Sequence, residues 1–108
     1  GWSHSGYMPR IASVYGNYPG KVPFDFGDVI AVLAPRPLFV NAPLDDSNFD
    51  ASGVAACVSA ARPVYEQLGA RDSLVAMFPA GGHDFTLPSR QAAYAFLDTA
   101  LGLRQAGR

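Results

Sequence analysis

Three residues have the side chains and placement for proton transfer: Asp45 and Asp46 in the run Asp45-Asp46-Ser47-Asn48, and His83 in the run Gly81-Gly82-His83-Asp84. A carboxylate beside an imidazole fixes the ring's tautomer and stabilises its protonated form. The opposite ring nitrogen can then take a proton from a nucleophile. Each run follows a short, continuously apolar segment, Leu38-Phe39-Val40 and Leu74-Val75-Ala76-Met77-Phe78, with the pattern of a strand covered on both faces. Open parallel sheets place ligands beyond the carboxyl ends of their strands, and neighbouring strands lie about 5 Å apart. Residues from the two loops can therefore meet at one sheet edge.

Asp45 is the preferred acid, four residues past Asn41, where the first strand is expected to end. Asp46 is the alternative, with loop capping or exposure to water as its other role. The competing structural account makes both acids turn residues and His83 a surface histidine. Asp50 is placed to cap a helix, and Asp84 adjoins the histidine as a turn residue, so neither is preferred as the acid.

The elements that must position these groups follow from periodicity and punctuation. Residues 1–23 show no sustained period and are broken by Gly1, Gly6, Pro9, Gly16, Pro19, Gly20 and Pro23, so they read as an irregular connecting loop. Asp25, with Asp28 three residues on, opens a helix to about Leu33, and Pro35 and Pro37 stop it. The first strand runs to about Asn41. A long helix spans about Ala51 to Leu68, capped by Asp50, with Phe49 placed to pack on Val54 as a hydrophobic staple. Its buried stripe is Val54, Val58, Ala61, Tyr65 and Leu68; Pro63 should kink or split it, and Gly69 suits a left-handed cap. After the second strand, a last helix with Pro88 in its first turn continues to about Leu101, buried through Ala93, Phe96, Leu97, Ala100 and Leu101. Residues 104–108 read as a tail.

The expected fold is thus α/β, helix-strand-helix-strand-helix, with two parallel strands joined by a right-handed crossover. Two strands with apolar faces and two open edges make a poor isolated sheet. The chain also starts at Gly1 and not Met, which fits either processing or a piece of a longer protein, and the motifs favour the piece.

Composition removes several functions. The chain is 49% hydrophobic and 16% charged, which argues against disorder. Its net charge of -1 supplies no attraction for nucleic acid or an anionic membrane, and no run of eighteen uncharged apolar residues could span a bilayer. No basic start followed by an apolar run marks a signal peptide. The single Cys57 reads as a small filler within a helix. His4 and His83 with scattered carboxylates are too loose a set for a metal, and no glycine-rich phosphate loop occurs, so no metal or cofactor is expected. Trp2, Tyr7 and Tyr18 read as packing of the long loop, with the border of a pocket as the alternative.

The segments VIAVLAPRPLFVNAPLDDSNFD, ARPVYEQLGA, FPAGGHDF and PSRQAAYAFLDTAL together resemble the C-terminal part of α/β-hydrolases of the esterase, dienelactone-hydrolase and acetyl-xylan-esterase type. The resemblance covers about residues 24–103. It implies that Asp45 is the acid and His83 the histidine of a Ser-His-Asp triad acting on carboxylic esters. Asn41-Ala42 departs from the His-Gly pair of many relatives, and no Gly-x-Ser-x-Gly nucleophile elbow occurs in the sequence. The resemblance therefore implies an acid-histidine segment, inactive alone, that needs the N-terminal part of the fold or an oligomeric substitute. The alternative is a non-catalytic α/β interaction module that keeps hydrolase architecture.

Overall fold

A computed structural model of the chain describes residues 3–103. The sheet has two parallel strands, β1 (Leu38–Asn41) and β2 (Leu74–Met77), paired Leu38 with Leu74 through Asn41 with Met77. The described residues also form four α-helices: α1 (Pro9–Tyr15), α2 (Phe26–Leu33), α3 (Ala51–Gln67) and α4 (Leu87–Ala100). The α/β class and the parallel pairing agree with the periodicity.

The core lies between α3 and one face of the sheet. Val58, Ala61 and Tyr65 of α3 pack with Leu74 of β2, and Ile30, Ala31, Leu38, Val40 and Ala76 are among the partly buried residues against them. Tyr65 has no exposed surface, and its hydroxyl donates to the Arg36 carbonyl at 2.8 Å. That bond satisfies a polar atom that would otherwise be costly to bury. Burial raises the Tyr65 pKa, against a smaller lowering by the charge of Arg36. On the opposite face, Phe39 of β1 meets Phe96 of α4 with ring centroids 5.6 Å apart. The sheet is thus covered by α2 and α3 on one side and by α4 on the other, the usual way to bury both faces of parallel strands.

Local signals account for the helix ends. Asp25 and Asp28 form a reciprocal capping box at α2, as their spacing predicts. Asp50 caps α3 by accepting from the Ser52 amide at 2.9 Å and the Ser52 hydroxyl at 2.7 Å. Gly69 takes a left-handed φ of 69° after α3. Gly27 brings α2 against α3 because a side chain there would come 3.0 Å from Ala60 Cβ.

Several details differ from expectation. Residues 9–15 form α1, a short helix inside the segment read as irregular. Pro9 at its first turn and Gly16 in the left-handed cap are its only sequence signals, and it buries no residue. Pro63 leaves α3 continuous; it and Ser59, the residue one turn earlier whose carbonyl loses its amide partner, are both exposed. Leu68, Leu97, Ala100 and Leu101 are exposed, not part of the buried stripes. Cys57 is half-buried against α2. Residues 104–108, read as a tail, lie outside the described residues, as does Trp2.

The molecule is extended, with a Cα radius of gyration of 16.3 Å. A compact domain of this length has about 13 Å. Val32, Leu101 and Leu87 are among many large apolar side chains left exposed, consistent with a small core under a sheet with two open edges.

Candidate functional site

The loops after the two strands continue the sheet's hydrogen bonding beyond its last residue pair. Ala42 N–H donates to the Met77 carbonyl at 2.9 Å, Leu44 N–H to the Pro79 carbonyl at 2.9 Å, and Asp45 N–H to the Gly81 carbonyl at 3.0 Å. Asn41 adds a cross-loop bond from its side-chain amide to the Asp84 carbonyl at 3.2 Å. This ladder brings both polar runs to one edge. Gly81 has φ of 111°, a backbone conformation that L side chains rarely adopt, and turns the chain toward His83.

The ladder also sets which of the two carboxylates meets His83. Asp45 faces Gly81 directly, and its Oδ2 accepts the Gly81 amide at 3.2 Å. Asp46, one residue on, places Oδ2 2.8 Å from His83 Nδ1. The expectation that Asp45 is the partner of His83 is therefore corrected: Asp45 bridges the glycine turn, and Asp46 holds the imidazole. The choice turned on the register between two loops, for which the sequence carries no periodic signal.

Asp46 uses both carboxylate oxygens. Oδ1 accepts the amides of Asn48 at 2.8 Å and Phe49 at 3.2 Å, closing the loop that leads into α3. Only 6% of its side chain is exposed, whereas 56% of the His83 side chain is. Burial pushes the Asp46 pKa up. The bond to His83, the two amides and the charge of His83 together outweigh it, leaving the carboxyl below its ordinary value. With Nδ1–H donated to this carboxylate, Nε2 is left as the basic nitrogen. Among the described residues nothing hydrogen-bonds to Nε2.

Phe49 was expected to staple onto Val54. Its ring stacks on His83, with centroids 5.7 Å apart and planes inclined by 26°. Asp46, His83, Phe49, Val54 and Phe85 line a cavity of about 490 Å³ that also reaches Asn41 and Asp84. Asn41 Oδ1 is buried without a hydrogen-bond partner among the described residues. The side is mixed in character: aromatic and aliphatic walls with the His-Asp pair at one margin.

The remaining candidates have other partners. Asp50 caps α3, and its carboxyl is held below its ordinary value, mainly by the Ser52 hydroxyl and amide. Asp84 Oδ1 accepts the Phe85 amide at 2.7 Å. His4 Nδ1 accepts the Gly6 amide at 3.0 Å, and its ring meets Tyr7 edge-on. Tyr7 and Tyr18 are exposed and do not line the cavity. Among the described residues no group of three or more His, Cys, Asp or Glu could hold a metal ion, and no helix is long and apolar enough to cross a membrane.

The arrangement can orient an imidazole and stabilise its protonated form, the acid-base half of nucleophilic catalysis. Comparison of the chain with protein-family models, curated proteins and solved structures finds no match.

Proposed function

We propose that this chain supplies the acid and histidine of a serine hydrolase that cleaves carboxylic esters by acyl transfer, in the manner of the C-terminal part of an α/β-hydrolase. The observation that carries the reading is the 2.8 Å contact between His83 Nδ1 and Asp46, formed where two parallel strands end. The resemblance of residues 24–103 to that family supports it. So does the cavity beside the pair, which suits a small ester.

In this reading the nucleophile is a serine contributed from outside the sequence, by more of the same polypeptide or by an associated one. His83 Nε2 takes the serine proton as the hydroxyl attacks the ester carbonyl. Asp46 stays ionised, holds Nδ1–H and stabilises the imidazolium. Backbone amides near the serine hold the oxyanion, and the imidazolium returns its proton to the departing alkoxide. The same histidine then activates water to hydrolyse the acyl-enzyme. The open sheet edges support the accompanying expectation that further strands or a second copy complete the fold.

The test is hydrolysis of p-nitrophenyl acetate, together with labelling by a fluorophosphonate, for the natural polypeptide that carries this sequence. Both activities are expected, and His83→Ala should lower hydrolysis by about 10³-fold or more while leaving the fold intact. Absence of both activities, or hydrolysis undiminished by His83→Ala, would leave the chain as a non-catalytic α/β interaction module.

A further inference from the structure

We propose that Phe49 is a positioning residue for His83, fixing the plane of the imidazole whose direction Asp46 sets. The inference rests on the reading of His83 as the general base. The Asp46 bond holds His83 at Nδ1, and coupled rotation about its two side-chain bonds can still tilt the ring about that contact. His83 is more than half exposed, follows two glycines and has no described partner at Nε2, so little else restrains it. The stacked ring of Phe49, 5.7 Å away and inclined by 26°, supplies the missing face.

Phe49 is itself well held. Its amide donates to the same Asp46 carboxylate that binds His83, at 3.2 Å. The next residue, Asp50, caps the seventeen-residue helix α3 through the Ser52 amide and hydroxyl. The aromatic face thus sits two residues before the first turn of a helix, and one carboxylate holds both the Phe49 backbone amide and the His83 ring. Orientation of this kind is worth orders of magnitude in rate when a reacting nitrogen must point at one hydroxyl.

The experiment is nitrogen-15 NMR of the His83 ring in the natural polypeptide carrying this sequence, compared with Phe49→Leu, Phe49→Met and Phe49→Tyr. α3 amide resonances serve as the check on folding. With Phe49, Nδ1 should give the protonated and Nε2 the unprotonated shift of a single tautomer. Phe49→Leu and Phe49→Met should move both nitrogens toward the averaged shift of an exchanging ring, and Phe49→Tyr should restore the separation. In ester hydrolysis the two aliphatic variants should lower kcat about tenfold with KM within about twofold. Unchanged nitrogen shifts in the folded aliphatic variants, or a Tyr variant that behaves as they do, would overturn the assignment. The nitrogen shifts need no turnover: absence of hydrolysis with the expected shifts would overturn the esterase reading alone, and hydrolysis with unchanged shifts would overturn the role of Phe49 alone.

Discussion

Asp46 and His83, 37 positions apart in sequence, lie 2.8 Å apart, and the acid is nearly buried where the imidazole is half open to solvent. This asymmetry suits an acid-histidine pair. The carboxylate is fixed by two backbone amides and does not need to move, while the opposite ring nitrogen stays accessible. The pair is assembled by backbone bonds between two loops, so residues that shape those loops should matter as much as the pair itself.

Gly81 and Gly82 test that dependence. Gly81 sits at φ of 111° and bridges Asp45 through both its amide and its carbonyl. Gly82 has an ordinary φ, and a Cβ there would meet only the Asp45 carbonyl at 3.9 Å. Gly81→Ala should cost about 1–3 kcal/mol and disturb the His83 side chain. Gly82→Ala should change stability by less than about 1 kcal/mol. Urea unfolding of both variants checks the ranking; equal effects would contradict the assigned role of the Gly81 turn.

The pH dependence of stability follows from the lowered Asp46 pKa. The unfolded carboxyl titrates near pH 4, so the stabilisation from ionised Asp46 is complete above that value. It is lost as the pH falls through the still lower folded-state pKa. Asp50, also lowered, titrates in the same direction, so the comparison must isolate Asp46. The gap in urea midpoint between the natural chain and Asp46→Asn should therefore shrink as the pH falls from about 4 toward 2. A gap that persists unchanged into acid would contradict preferential stabilisation of the carboxylate.

Helix packing offers a test away from the site. A Cβ at Gly27 would lie 3.0 Å from Ala60 Cβ and 3.5 Å from the Cys57 carbonyl, forcing α2 away from α3. A Cβ at Gly53 would meet nothing nearer than 4.0 Å. Gly27→Ala should destabilise by about 1–3 kcal/mol. Gly53→Ala, in the first turn of α3, should be neutral or stabilising by up to about 1 kcal/mol. Thermal melts that rank the two in the opposite order would contradict the close approach.

Much of this architecture was legible in the residues. The strands announced themselves as unbroken apolar runs, Asp25 and Asp28 as a capping box, Asp50 and Gly69 as the ends of α3. These are local signals, each set by residues within a turn or two. His83 was legible because a proline-glycine turn delivers it beyond a strand end. The partner of His83 was not: choosing Asp46 over Asp45 depends on Leu44 pairing with Pro79 and Asp45 with Gly81, contacts between loops that no periodicity encodes. Phe49 was hidden for the same reason. Its position before the Asp50 cap points along the chain to Val54 and carries no sign that its ring stacks on a residue from the other loop. α1 was missed because a seven-residue helix that buries nothing has no apolar stripe to reveal it.

The most direct measurement of the central claim compares Asp46→Asn with Asp45→Asn in the natural polypeptide, by kcat/KM for p-nitrophenyl acetate at neutral pH. If Asp46 orients and stabilises His83, Asp46→Asn should lower kcat/KM by about 10³- to 10⁴-fold, while Asp45→Asn, which weakens one bond to Gly81, should lower it by no more than about tenfold. A large loss confined to Asp45→Asn, or equal small losses in both, would contradict the assignment of Asp46 as the acid.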